Sequence, residues 1–97
     1  MATYITLANY TAQGIANIKE SPGRLDDARE KLAALGVTIK DFYLTMGEYD
    51  ILAIVEAPDN RAAATALIAL GAQGNVSTTT MAALTESEFR ELVSNMP

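Results

Sequence analysis

Five consecutive apolar residues, Ile51-Leu52-Ala53-Ile54-Val55, constrain the fold of this chain more than any other feature. A short continuous apolar run with β-branched residues reads as a strand, and a strand without a polar face belongs in the middle of a sheet. Its flanks set much of the topology. Upstream, Thr45-Met46-Gly47-Glu48-Tyr49 is short enough to be a hairpin connection, with glycine supplying any positive φ, and it leads back to a strand pattern over 37–44. Downstream, Pro58-Asp59-Asn60 breaks the strand and caps a helix over 61–70, in which five of ten residues are alanine.

The remaining segments are assigned by periodicity. Residues Tyr4 to Asn9 alternate, so Ile5 and Leu7 share one face of a strand while Tyr4, Thr6 and Ala8 share the other. Thr11-Ala12-Gln13-Gly14 is a turn that caps a short helical segment reaching Lys19. Ser21 is then an N-cap and Pro22 a first helical residue. Leu25, Ala28, Leu32 and Leu35 fall on one helical stripe that Gly36 ends. Strict alternation over 37–44 sets Ile39, Asp41 and Tyr43 against Lys40, Phe42 and Leu44. A last strand, 75–83, is rich in Ser and Thr; Val76 and Met81 fall on opposite parities there, which a bulge would reconcile. Thr85 and Glu88 have capping-box spacing ahead of Phe89, Leu92 and Val93, which predicts a short C-terminal helix.

The order β-α-β-β-α-β plus a terminal helix predicts an α+β chain. It is the ferredoxin-like βαββαβ sandwich with a four-stranded antiparallel sheet. Two helices cover one face of such a sheet, so the other meets water, a ligand or another subunit. The polar-aromatic set Tyr4, Thr6, Tyr43 and Thr78 or Thr80 is assigned to that uncovered face.

At 97 residues and 49% hydrophobic, the chain is read as a single domain, 1–97, that folds by burial alone. It has no cysteine, which removes thiolate chemistry and cysteine-ligated metals, and no histidine, the usual general base near neutral pH. A net charge of −5 without a free basic cluster argues against nucleic acid. The start Met1-Ala2-Thr3-Tyr4 lacks a basic n-region followed by an apolar run, so no secretory signal is expected. The uncharged stretch from Ala62 to Thr85 is broken by Gly71, Gln73, Gly74 and Asn75, so no membrane span is read there. A cytoplasmic protein without a cofactor is the expectation.

Among the polar residues, Lys19 and Arg24 flank a helix start and could hold an anion, or simply pair with Glu20, Asp26 and Asp27 on the surface. Glu56 ends the apolar strand: buried, it would be a possible proton acceptor, and exposed, a strand-end carboxylate. In Gly47-Glu48-Tyr49-Asp50, glycine and aspartate suit turn geometry, Asp50 accepting backbone N–H bonds, while Tyr49 stands at a pocket rim.

Several separate stretches carry a resemblance to one family: Tyr10-Thr11-Ala12-Gln13-Gly14-Ile15, then Phe42-Tyr43-Leu44-Thr45-Met46-Gly47-Glu48-Tyr49-Asp50, then Glu56-Ala57-Pro58-Asp59, and Gly74-Asn75-Val76 with Glu88-Phe89. The chain resembles the GYD domain family of small bacterial proteins. The resemblance implies a ferredoxin-like subunit that assembles as a dimeric α/β barrel or a larger homo-oligomer, and it implies no reaction. Met46 to Leu52 is also similar to the effector-binding domain of Lrp/AsnC regulators, without their helix-turn-helix.

Three functions follow as expectations. The first is a homodimer binding a small molecule in a cavity between sheet faces or helices, with Tyr4, Thr6, Lys19, Arg24, Tyr43, Tyr49, Glu56 and Thr80 as candidate contacts. The second is a cofactor-free enzyme of isomerase or monooxygenase type, whose proton transfers would need Tyr43, Glu56 or a lysine. A structural partner of another protein, using the alanine-rich helix and Phe89, Leu92 and Val93, is the third.

Overall fold

A computed structural model describes residues 1–97. The chain runs β1 (Ala2–Tyr10), α1 (Ala12–Ala16), a 3-10 turn (Ile18–Glu20), α2 (Ser21–Ala33), β2 (Thr38–Leu44), β3 (Ile51–Ala57), α3 (Asn60–Ala72), β4 (Val76–Ala83) and α4 (Glu86–Ser94). The strands form one antiparallel sheet in the order β2-β3-β1-β4, with the apolar β3 in the interior as its sequence requires. This is the ferredoxin-like arrangement.

Local chemistry explains where the helices begin and end. Ser21 has helical backbone angles and is the first residue of α2, so it is not the N-cap; its hydroxyl instead meets the Tyr10 hydroxyl at 2.9 Å. At the other end of α2, Gly36 takes φ +75°. The Val37 and Gly36 N–H groups then donate back to Leu32 and Ala33, which buries Val37 against Leu32. Asp59 caps α3 by accepting from the Ala62 N–H, and Thr85 with Glu88 forms the full capping box of α4.

The pleat settles which residues face the helices, and it reverses one expectation. Tyr4, Thr6 and Ala8 are buried and pair with Val55, Ala53 and Ile51, and the core gathers between this side of the sheet and α2 and α3. Thr78 and Thr80 pair with Ala8 and Thr6, so they point the same way. Ile5, Leu7, Leu52, Ile54, Tyr43 and Met81 lie on the other, uncovered face. Of the set assigned to that face from the sequence, only Tyr43 is there. The bulge falls in β2, between Ile39 and Asp41, and not in β4, which pairs regularly from Val76 to Ala83. One extra residue flips the parity of all that follows. Ile39 and Phe42 therefore both face the helices, opposite Val55 and Ala53.

The turn between β2 and β3 is held as its residues suggest. Gly47 takes φ +125°, Asp50 Oδ2 accepts the Tyr10 N–H at 2.9 Å, and the Asp50 N–H donates to Ala8 O at 3.0 Å. Every residue of α4 is exposed, including Phe89, Leu92 and Val93. No helix is long and apolar enough to cross a membrane.

Candidate ligand cavity beneath the helices

Small side chains leave space under the helices. Ala8 of β1, Ala28 of α2, Ala53 of β3 and Ala63 and Ala66 of α3 all stop at Cβ where the layers meet, and a cavity of about 130 Å³ remains between them. Close packing is the rule in protein interiors, so a partly open cavity of this size forgoes dispersion contacts that a filled layer would make.

The wall has two ends of different character. At the Tyr4 end it is apolar: Leu32, Val37, Ile39 and Val55 contribute, and the Tyr4 hydroxyl is turned aside to donate to Asn60 Oδ1. In the middle, Thr6 and Thr80 share a hydrogen bond of 2.9 Å across β1 and β4. The Tyr10 end is polar. There the Tyr10–Ser21 hydroxyl pair ties β1 to the first turn of α2, and Arg24 follows one turn later on the same helix face. Gln73 and Asn75 complete this end from the loop before β4. That loop is fixed by α1, whose Gln13 Nε2 donates to Gln73 O and Asn75 Oδ1, both at 3.0 Å.

Arg24 is the one formally charged residue in the wall. Its side chain is 23% exposed, and Nη1 donates to Asn17 O at 3.1 Å. Glu20 Oε2 stands 3.5 Å from Nη1, but Glu20 is 73% exposed, so water screens most of that attraction. Nη2 is buried without an acceptor. An orphaned guanidinium N–H in a protein interior is costly, because water no longer satisfies it.

Of the eight candidate contacts, the structure therefore brings Tyr4, Thr6, Arg24 and Thr80 into one wall. Lys19 is exposed in the 3-10 turn, outside it. Tyr49 is half-buried in the β2–β3 turn, where its carbonyl accepts from the Thr45 hydroxyl. Tyr43, 57% exposed, and Glu56 occupy the uncovered face, Glu56 opposite Thr3 and Thr38. Neither Tyr43 nor Glu56 nor any lysine lines the cavity, so the residues an enzymatic reading would need for proton transfer are not assembled there. Tyr10, Ser21 and Asn75 line the same cavity and escape sequence reasoning. The available signal was alanine at core-facing positions of several elements, which marks a layer that does not fill.

Comparison with known proteins agrees with this architecture. The model of the GYD domain matches residues 4–93. A Thermus thermophilus protein, the glutamine synthetase and cystathionine beta-lyase binding protein, is 32% identical over 85 residues, covering 87% of this chain and 90% of that protein. Among solved structures, the crystal structure of MtbAldR superposes with a TM-score of 0.69 at 17% identity over 88% of this chain. The chain spans about half of that protein, 52%, and the likeness is one of fold.

Proposed function

The chain belongs to the GYD domain family, and on that premise we propose that it is a small-molecule-binding module that self-associates through the uncovered face of its sheet. The observation that supports binding is the cavity: an alanine-walled space of about 130 Å³ with its polar groups gathered at one end. Pockets that hold small ligands combine an apolar lining with a few placed polar groups in this way. Titration of the labelled protein with fragment-sized compounds should shift the amide signals of Ala53, Ala66 and Thr80 together. Shifts confined to the outer surface would refute it.

Self-association is supported by the other side of the sheet. Ile5, Leu7, Leu52 and Ile54 form an apolar patch there, flanked by the exposed Tyr43 and Met81. A second copy laid on this face would remove that surface from water, and contiguous apolar patches of this kind mark interaction sites. Light scattering should give at least a dimer at micromolar concentration, and Leu7→Glu with Ile54→Lys should give a monomer. A monomeric wild-type protein would end this part of the reading.

One observation favours a second, compatible role as a protein-binding adaptor. The relative from Thermus thermophilus carries two enzymes in its name as binding partners, and α4 here presents Phe89, Leu92 and Val93 without cover. Phe89→Ser with Leu92→Ser should then abolish capture of glutamine synthetase from the same cells while leaving the oligomer intact. Unchanged capture would remove α4 from the account.

A further inference from the structure

Given a cavity that binds a small molecule, the reading on which this inference rests, its wall restricts the chemistry of the occupant. We propose that the occupant is a monocarboxylic acid with a compact apolar tail of roughly five to seven carbons, its carboxylate held by Arg24 and its tail lying toward Ala53 and Val37. Charge selects the head group. Arg24 is the only formal charge in the wall, no acid lines it, and Nη2 lacks an acceptor. A carboxylate at this end of the cavity pairs with the Arg24 guanidinium through a charge-assisted hydrogen bond, where the exposed Glu20 at 3.5 Å is its only other carboxylate partner. An amine would bring a second positive charge beside Arg24 with nothing to balance it. A phosphate monoester would add a second negative charge for which the wall holds no cation. A free amino acid would leave its ammonium group among hydroxyls and amides alone.

Size selects the tail. An engineered apolar cavity of about 150 Å³ holds benzene, and the present cavity, about 130 Å³, is slightly smaller and polar at one end. The apolar tails of hexanoate and benzoate are of this size, with the carboxylate standing at the part-exposed Arg24 end. Direction follows from the same wall, since Tyr10, Ser21, Gln73 and Asn75 surround the Arg24 end while Leu32, Val37 and Val55 close the other. The hydroxyl pair of Tyr10 and Ser21 is within the same polar end, and the one O–H not used within the pair is a donor for the second carboxylate oxygen.

The test is a calorimetric and amide-shift titration of the full chain with hexanoate, benzoate, 1-hexanol and hexylamine. Hexanoate should bind about tenfold to a hundredfold tighter than 1-hexanol, the range expected of one hydrogen bond to a charged group, and hexylamine should not bind. Arg24→Met should erase the preference for hexanoate over 1-hexanol, and Arg24→Lys should restore part of that preference. Equal binding of hexanoate and 1-hexanol to the wild type would overturn the carboxylate assignment and leave the cavity reading standing. If none of the four compounds shifts Ala53, Ala66 or Thr80, the cavity reading itself fails. Should Arg24→Met not fold, the hexanoate to 1-hexanol ratio of the wild type decides.

Discussion

Replacing Gly14 by alanine tests how the polar end of the cavity is held in place. A Cβ at this position would stand 2.0 Å from the Asn75 carbonyl oxygen and 3.0 Å from its carbonyl carbon, both backbone atoms that no rotamer change can move. To reach ordinary van der Waals contact, α1 and the start of β4 must part by about 1.4 Å. That displacement breaks the Thr11 N–H bond to Asn75 O, now 3.1 Å, and loosens the Thr11 hydroxyl bond to Gly74 O, now 2.6 Å. Two hydrogen bonds at about 1 kcal/mol each, with a crowding strain of about 1–3 kcal/mol, outweigh the gain of about 1 kcal/mol from alanine in a helix. The net loss is about 2–4 kcal/mol, or about 10–25 °C in melting temperature for a domain of this size. Thermal and urea unfolding at one fixed protein concentration read it, since an oligomer melts according to its concentration. Gly23→Ala is the control. It lies in α2 with nothing within 4 Å of the added Cβ, so it should stabilise by up to about 1 kcal/mol. A Gly14→Ala protein that melts no lower than wild type would show that the approach of α1 to Asn75 does not constrain the chain.

Other consequences are as direct. Asp50→Ala removes the acceptor of the Tyr10 N–H and should destabilise by about 1–2 kcal/mol in urea unfolding, while Asp50→Asn, which keeps a side-chain carbonyl, should recover most of the loss. Thr6→Val leaves the Thr80 hydroxyl without its partner and should cost about 1 kcal/mol, whereas Val at both positions should come close to wild type; additive losses in that cycle would deny the bond. The Glu88 carboxyl is held below its ordinary value of 4.5 by the Thr85 backbone N–H, with the Thr85 hydroxyl adding to it. A group whose folded pKa is depressed contributes its stability above the ordinary value and loses it as pH falls through the folded one. The protection of amides 86–94 from exchange, taken relative to the intrinsic rate at each pH, should therefore fall as pH is lowered below 4.5, and Glu88→Gln should flatten that response.

Much of this fold is legible in the residues. The element order, the glycine-shaped β2–β3 turn, the Gly36 stop and the Thr85–Glu88 cap each follow from local chemistry that packing did not override. The facing of the strands does not. Ile5 and Leu7 alternate with Tyr4 and Thr6, and hydrophobicity favours burying the aliphatic pair. The structure instead buries Tyr4, whose hydroxyl reaches Asn60, and Thr6, whose hydroxyl reaches Thr80. Alternation identifies a side only when one side is wet, and here both faces of the sheet are largely apolar. The β2 bulge is equally silent, since Lys40 is an unremarkable residue at that point. Arg24 was visible as an anion contact, but through a pairing with Lys19, which is exposed and lies outside the cavity wall. What places it in a cavity wall is the alanine content of three other elements, a property of the whole layer.

The pairing of β1 with β4 also governs how this chain reaches its native state. Residues 3–10 find their partners at 76–83, and the intervening chain must be closed into a loop before that ladder forms. Nearly the whole sequence must therefore leave the ribosome before β1 loses its free edge. Contacts so distant in sequence slow folding and leave an unpaired strand exposed in the meantime. The bonds from Thr11 to Gly74 and Asn75 lie at the mouth of that closure. They clasp first and last strands at one end, so the same few residues that shape the polar end of the cavity also decide how long the ladder, once zipped, stays shut.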